Sequence, residues 1–211
     1  MNFLSNQSTF TKVGLGVITV GLFLLVSGVA NAADPAAWTS VTATGTLSNG
    51  MTLTIEEEQR HSGVDFDTLN SRHTDVAVGT TLGGFGVALG HRHADGAADF
   101  NYLTVSRSVG AIAGWDATLS TKLELFSDDS VRNRTGLAAQ SAVSYSGFTP
   151  WASTEFFITE DGDVTSNRTE VGVTRALNAS TALDVWYQVD TDMVGDADAA
   201  PAVGIGLNLA L

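Results

Sequence analysis

Two sets of side chains in this 211-residue chain have types and spacings that could do chemistry. The first is a series of charges placed two residues apart: Glu56, Glu58 and Arg60, then Lys122 with Glu124, then Arg132 with Arg134, and, after Glu155, Arg168 with Glu170. On a β-strand, residues i and i+2 point the same way, so each group puts its charge on one face. Charges confined in a protein interior are costly unless paired, and the planar fork of arginine grips a carboxylate through two parallel hydrogen bonds. These ten residues are expected to form a mixed-charge network that either fills an interior and fixes strand register or lines a narrow ion path.

The second set is the four histidines, His61, His73, His91 and His93. His91 and His93 share a strand face at a spacing that could hold a metal with a third ligand. That face also carries Phe85, Val87 and Leu89, and no third ligand can be nominated, so no metal site and no cofactor is expected. Spacing assembles no Ser, His and carboxylate set, and catalysis is not expected, although a triad is a spatial arrangement that a linear reading can miss. A lipid-modifying or proteolytic barrel enzyme is the competing reading, and a soluble periplasmic β-sheet binding module is a third.

The elements that must position these groups read as strands. Segments of about ten alternating residues recur along the chain, the length a tilted strand needs to cross a membrane. Trp38 to Leu47 and Thr52 to His61 flank Ser48-Asn49-Gly50, a strong hairpin signal. Ser71 to Leu82 and Phe85 to His93 flank Gly83-Gly84; Asn101 to Val109 and Trp115 to Phe126 are joined through Gly110 to Gly114. Val131 to Val143 and Phe148 to Ile158 are joined through Ser144 to Gly147, and Arg168 to Leu177 meets Thr181 to Val189 at Asn178-Ala179-Ser180. Longer acidic or polar connections alternate with these turns, the rhythm of an outer-membrane barrel. Phe85, Trp115, Phe148 and Trp151 lie beside the short turns, and Phe126, Phe156, Phe157 and Tyr187 near the longer loops, as two interfacial aromatic belts would.

Composition narrows the class. Lys12 precedes an apolar run from Val13 to Val29 and then Ala30-Asn31-Ala32, which reads as a secretory signal peptide cleaved after Ala32. Residues 33–211 then form one domain with nine basic residues against 23 acidic ones, a balance that disfavours nucleic acid. Without cysteine, neither disulfides nor a lipoprotein anchor is available. The loops Glu160-Asp161-Gly162-Asp163 and Asp190-Thr191-Asp192, followed by Asp196 and Asp198, lack full EF-hand spacing and are expected at most to hold divalent cations weakly.

The chain ends on Val203, Ile205, Leu207, Leu209 and Leu211 alternating with Gly204, Gly206, Asn208 and Ala210. This resembles the closing strand of a bacterial outer-membrane barrel, the signal that the barrel assembly machinery recognises, although Leu211 departs from the usual terminal aromatic. Together with Arg132-Asn133-Arg134, Glu155-Phe156-Phe157, Asn167-Arg168 and Val171-Gly172, it resembles a family of small Gram-negative outer-membrane proteins without an assigned activity, over roughly Trp38 to the end. The resemblance implies no reaction. The expected fold is all-β, a single antiparallel up-and-down transmembrane barrel. Eleven segments are counted, yet bacterial barrels have even strand numbers, which leaves ten or twelve strands open. The expected setting is the cell outer membrane, in contact with its lipid bilayer and lipopolysaccharide. The expected role is structural or that of a narrow pore for small solutes or ions, with free space for the path beside the small inward residues of the last strand.

Overall fold

The computed structural model describes residues 35–194 and 199–211, and the signal-peptide reading of residues 1–32 lies outside them, as do Asp196 and Asp198. The described residues form eleven strands: β1 (Ala36–Thr46), β2 (Thr52–His61), β3 (Leu69–Leu82), β4 (Phe85–Asp95), β5 (Phe100–Ile112), β6 (Trp115–Phe126), β7 (Val131–Ser141), β8 (Phe148–Thr159), β9 (Val164–Asn178), β10 (Thr181–Asp192) and β11 (Ala200–Ala210). Each strand pairs antiparallel with its sequence neighbour, and β11 closes onto β1 to complete a barrel.

Closure is parallel, with Trp38 opposite Gly204 and Val41 opposite Leu207. That pairing resolves the odd count. Ser62 to Asn70 holds no twelfth strand; the connection from β2 to β3 is a loop, and all eleven segments take part. An odd number of up-and-down strands leaves the first and last running the same way, so β1 begins and β11 ends at opposite ends of the barrel.

The short turns share one end. Gly83 and Gly84 both have positive φ (57° and 84°), as do Ala113 and Gly114 (51° and 86°) and Ser146 and Gly147 (53° and 83°), the signature of tight hairpin turns whose twist matches that of the flanking strands. Asn49 adds a side-chain bond, its Oδ1 accepting from the Met51 amide at 3.1 Å. The β5–β6 turn is Ala113-Gly114, so β5 runs past Gly110 and absorbs it through a register shift between Ser108 and Gly110.

Alternation sorts the sheet into two faces. On β6, Trp115, Ala117, Leu119, Thr121, Leu123 and Leu125 point out, while Asp116, Lys122 and Glu124 point in. Every strand shows at least one exposed large apolar side chain, from Val41 on β1 and Leu89 on β4 to Leu137 on β7 and Ile205 on β11. The buried groups include Glu124, Gln188, Arg134, His73 and Asp75. Polar groups inside and apolar groups outside is the reverse of a water-soluble domain.

Two expectations about aromatic residues are corrected. Phe85, Trp115 and Phe148 do face outward at the turn end, but Trp151 pairs with Gln140 and Gly172 on the inner face. At the loop end Phe156 and Tyr187 face outward, whereas Phe126 and Phe157 face inward against arginines. Adjacent residues on a strand must point opposite ways, so Phe156 and Phe157 cannot share a belt. The inner face of β11 is also less empty than expected, because Gly204 is covered by the indole of Trp186, which also approaches Gly206.

Candidate functional site

The inner face is organised in layers along the barrel. The layer nearest the long loops is made of guanidinium groups, each held by carboxylates beneath or beside it. Arg60 on β2 donates to Glu58 two residues away on its own strand, at 2.8 Å through Nε and 2.7 Å through Nη2. Arg92 on β4 reaches across to Asp75 on β3 at 2.6 Å. Glu124 on β6, fully buried, receives Arg132 at 2.6 Å and Arg134 at 3.2 Å, both from β7. Arg134 also pairs with Glu155 on β8, and Arg168 on β9 makes two parallel bonds of 2.8 Å to Asp190 on β10. His73 completes the set, its Nδ1 lying 3.2 Å from Glu58. Most of these pairs tie neighbouring strands, so they fix register as well as satisfying buried charge.

Aromatic rings fill the space between the guanidiniums. Arg60 lies 3.8 Å and Arg168 5.0 Å from the Trp38 ring, while Arg132 and Arg134 lie 5.2 and 4.8 Å from the Phe157 ring. Flat delocalised cations over ring faces are attractive contacts that a lysine would make less well.

The arginine layer separates two cavities. Toward the loops lies one of about 400 Å³, lined by Arg60, Arg92, Arg132, Arg134 and Arg168 together with His73, and by the rings of Phe100, Phe126 and Phe157. No Asp or Glu is among its lining residues that the structure describes. On the other side lies a cavity of about 280 Å³ that shares Arg60, Arg92, Arg134 and Arg168 but adds Glu56, Glu58, Glu155, Glu170 and Lys122. The guanidinium layer therefore has a cationic side and a carboxylate-bearing side.

Deeper groups lean on neutral partners. Glu56 accepts from Thr42 at 3.1 Å, Glu170 accepts from Ser153 at 2.9 Å, and the Lys122 ammonium sits 4.2 Å from the centre of the Tyr102 ring. At the turn end a third cavity, of about 270 Å³, is lined by Thr52, Thr54, Ala77, Gly79, Ala88 and Ser106 among other small residues, and carries no charge.

All ten residues expected in the charge network lie on the inner face: Glu56, Glu58, Arg60, Lys122, Glu124, Arg132, Arg134, Glu155, Arg168 and Glu170. Among the described residues seven of these make ion pairs, and Glu56, Lys122 and Glu170 do not. Sequence reading missed Asp75, Arg92 and Asp190, each a single inward charge flanked by residues of the outward face. Asp190, read as part of an acidic loop, belongs instead to β10 and is bonded to Arg168. Val203, Ile205, Leu207 and Leu209 point outward on β11, and the Leu211 amide donates to the Thr44 carbonyl at 2.8 Å, tying the chain end to β1.

The histidines go separate ways. His61 stacks on Phe66 edge to face at 5.1 Å, and His73 is buried inside. His91 and His93 face outward as expected and take different partners, Asn101 at 3.0 Å and Asp99 at 3.0 Å.

A repeat escaped the sequence reading. Asn133-Arg134-Thr135 on β7 and Asn167-Arg168-Thr169 on β9 send their arginines inward and build the same clasp outside. Asn133 donates to Thr121 at 3.0 Å and accepts from Thr135 at 2.9 Å; Asn167 donates to Thr154 at 2.9 Å and accepts from Thr169 at 3.1 Å. On β2 and β3, the outward Glu57 instead accepts from its direct ladder partner Thr74 and, diagonally, from Arg72. These polar groups on the apolar face are thus satisfied locally.

Searches against protein-family models and against curated proteins return no match for this chain.

Proposed function

We propose that this chain is an outer-membrane barrel of a Gram-negative bacterium, exported through its N-terminal segment, with a narrow polar lumen crossed by an arginine and carboxylate layer. The observation that carries the reading is the inverted surface: exposed apolar side chains ring all eleven strands while charges are gathered inside. Water-soluble monomers rarely expose contiguous apolar area beyond a few hundred Å². Arg107 over Phe85 at 4.9 Å and Arg175 over Phe148 at 5.1 Å, both outward at the turn end, suit a membrane interface where an apolar stem lies in lipid and the cation reaches water.

The role is structural, or that of a restricted path for small ions. Paired charges and stacked rings occupy the middle of the lumen, and an eight-stranded barrel is filled by side chains while sixteen strands leave a channel. Closing-strand residues Val203 to Leu211 serve as the signal for the assembly machinery, and the outer loops meet lipopolysaccharide, with Glu160, Asp161 and Asp163 offering weak contacts to divalent cations. Fractionation with heat-modifiable gel migration tests the location: recovery in the outer membrane with faster migration of the unheated form is expected, and recovery wholly in the soluble periplasm overturns the reading. Planar-bilayer recording tests the pore, with small, discrete steps expected; their absence leaves the structural role.

A further inference from the structure

We propose that the loop-end cavity is a binding site for a small oxyanion, carrying carboxylate or phosphate groups, and that this site exists whether or not ions pass beyond it. Four observations converge. The cavity, at about 400 Å³, is in the range of small-molecule sites. Among the described residues its lining holds five guanidiniums and a histidine but no carboxylate, while Glu124 and Glu155 that hold Arg132 and Arg134 are not part of it. Donors remain: Arg92 bonds Asp75 and Arg132 bonds Glu124 through Nε, and among the described residues the terminal nitrogens of both have no hydrogen-bond partner. Arg134, nine-tenths buried, keeps an Nε with no partner.

Guanidinium forks pre-set by fixed carboxylates and by the rings of Phe126 and Phe157 lose little freedom on binding, and phosphate or carboxylate oxygens match their geometry. The aromatic walls favour an anion with an apolar or planar flank over a bare halide. Exposed carboxylates in and beside the long loops, among them Asp67, Asp95, Asp128, Asp129, Asp161 and Asp163, stand at this end of the barrel, and their field is screened beyond about 8–10 Å at ordinary ionic strength. A small solute can pass that rim, whereas an extended polyanion is repelled.

The test uses the full chain refolded in a zwitterionic detergent without lipid, titrated with citrate and, separately, with inorganic phosphate by calorimetry, and read in parallel by tryptophan fluorescence through Trp38. Saturable binding is expected, weakened about tenfold by Arg132→Gln, in line with losing one charged hydrogen-bonding group. Arg132 is the least buried of the five, and Glu124 keeps Arg134 in its absence. Arg175→Gln removes the same charge from the outer face and should leave affinity unchanged. Should Arg132→Gln fail to give the heat-modifiable folded form, wild-type protein with Phe126→Leu, which removes one aromatic wall, replaces it, and weaker citrate binding is again expected. A further arm adds phosphatidylglycerol to the micelles: binding seen only there, and lost in Arg132→Gln, assigns the oxyanion to a lipid headgroup. No binding of any of the three probes, or equal affinity in wild type and Arg132→Gln, overturns the proposal.

Discussion

The indole of Trp186 on β10 lies flat across the bare backbone of Gly204, its direct ladder partner on β11. A Cβ at Gly204 would fall inside the ring, and Gly172 beneath Trp151 and Gly90 beneath Tyr102 repeat the arrangement. These three large inward rings fit by resting on a neighbour without a side chain. Gly204→Val is expected to displace the indole and destabilise the barrel by about 1–3 kcal/mol. Urea unfolding in detergent measures this, and adding Trp186→Ala should recover part of the loss. Additive losses in the double variant would count against the pairing.

Glu124 is fully buried between Arg132 and Arg134. Glu124→Gln leaves two guanidiniums without their shared anion, though Arg134 retains Glu155. A loss of about 3 kcal/mol is expected, at the low end for breaking a buried pair by removing one partner. The unfolding midpoint of the variant, compared with that of Arg132→Gln, reports it; the Arg132 change should cost less because that side chain is partly exposed.

Asn133 and Asn167 make matching outward clasps. Alanine at either site should cost a similar amount in a lipid environment, about 1 kcal/mol, the scale of interhelical polar contacts measured in membranes. Unfolding from lipid vesicles gives both values. A cost confined to one site would show that the repeated motif is not a repeated interaction.

Asp99 sits in the loop between β4 and β5, where the Ala94 amide donates to it at 2.9 Å and His93 lies beside it. The amide bond first, and the histidine second, hold its carboxyl below the ordinary aspartate range. A depressed carboxyl adds to loop order above its unfolded value, near 3.9, and loses that contribution as pH falls through the lower folded value. Exchange protection of the Ala94 amide should therefore persist at pH 5 and disappear only below about pH 4. Asp99→Asn should abolish this pH dependence.

The arginine layer lines both the loop-end cavity and the cavity beneath it. If the lumen conducts, Arg134→Ser merges the cavities on its two sides and should raise the single-channel conductance severalfold, while Glu56→Gln and Glu170→Gln should lower preference for cations. Unchanged current in Arg134→Ser would place the resistance elsewhere.

Much of this barrel was legible because a strand writes its two faces into alternate positions. Trp115 to Phe126 announces both faces in twelve residues, and runs such as Glu56, Glu58 and Arg60 mark the inner one by repetition. Asp75 and Arg92 were illegible for the same reason: a single charge between residues of the opposite face carries no period, and Arg92 is hidden by the two histidines beside it. Phe156 and Phe157 show that nearness to a loop predicts height along the barrel but not direction. The closing strand itself was legible in the alternation of Val203 to Leu211, but its parallel sense left no local mark, since the relative direction of the first and last strands is a property of the strand count. The Asn-Arg-Thr repeat was available in the sequence and is the signal that would have singled out Arg134 and Arg168 together.

The parallel seam also makes the order of strands hard to rewrite. Ala36 and Ala210 lie toward opposite rims, since Ala210 pairs with Thr44, eight positions along β1 from Ala36, about 26 Å away if untilted. A circular permutant joining the two ends by a short turn, which an even-stranded barrel would accept, is geometrically barred; its linker would have to run the full height, through the occupied lumen or along the apolar outer wall. Tags fused before β1 and after β11 would likewise emerge on opposite sides of whatever the barrel spans, so a single molecule labelled at both ends reports its own orientation.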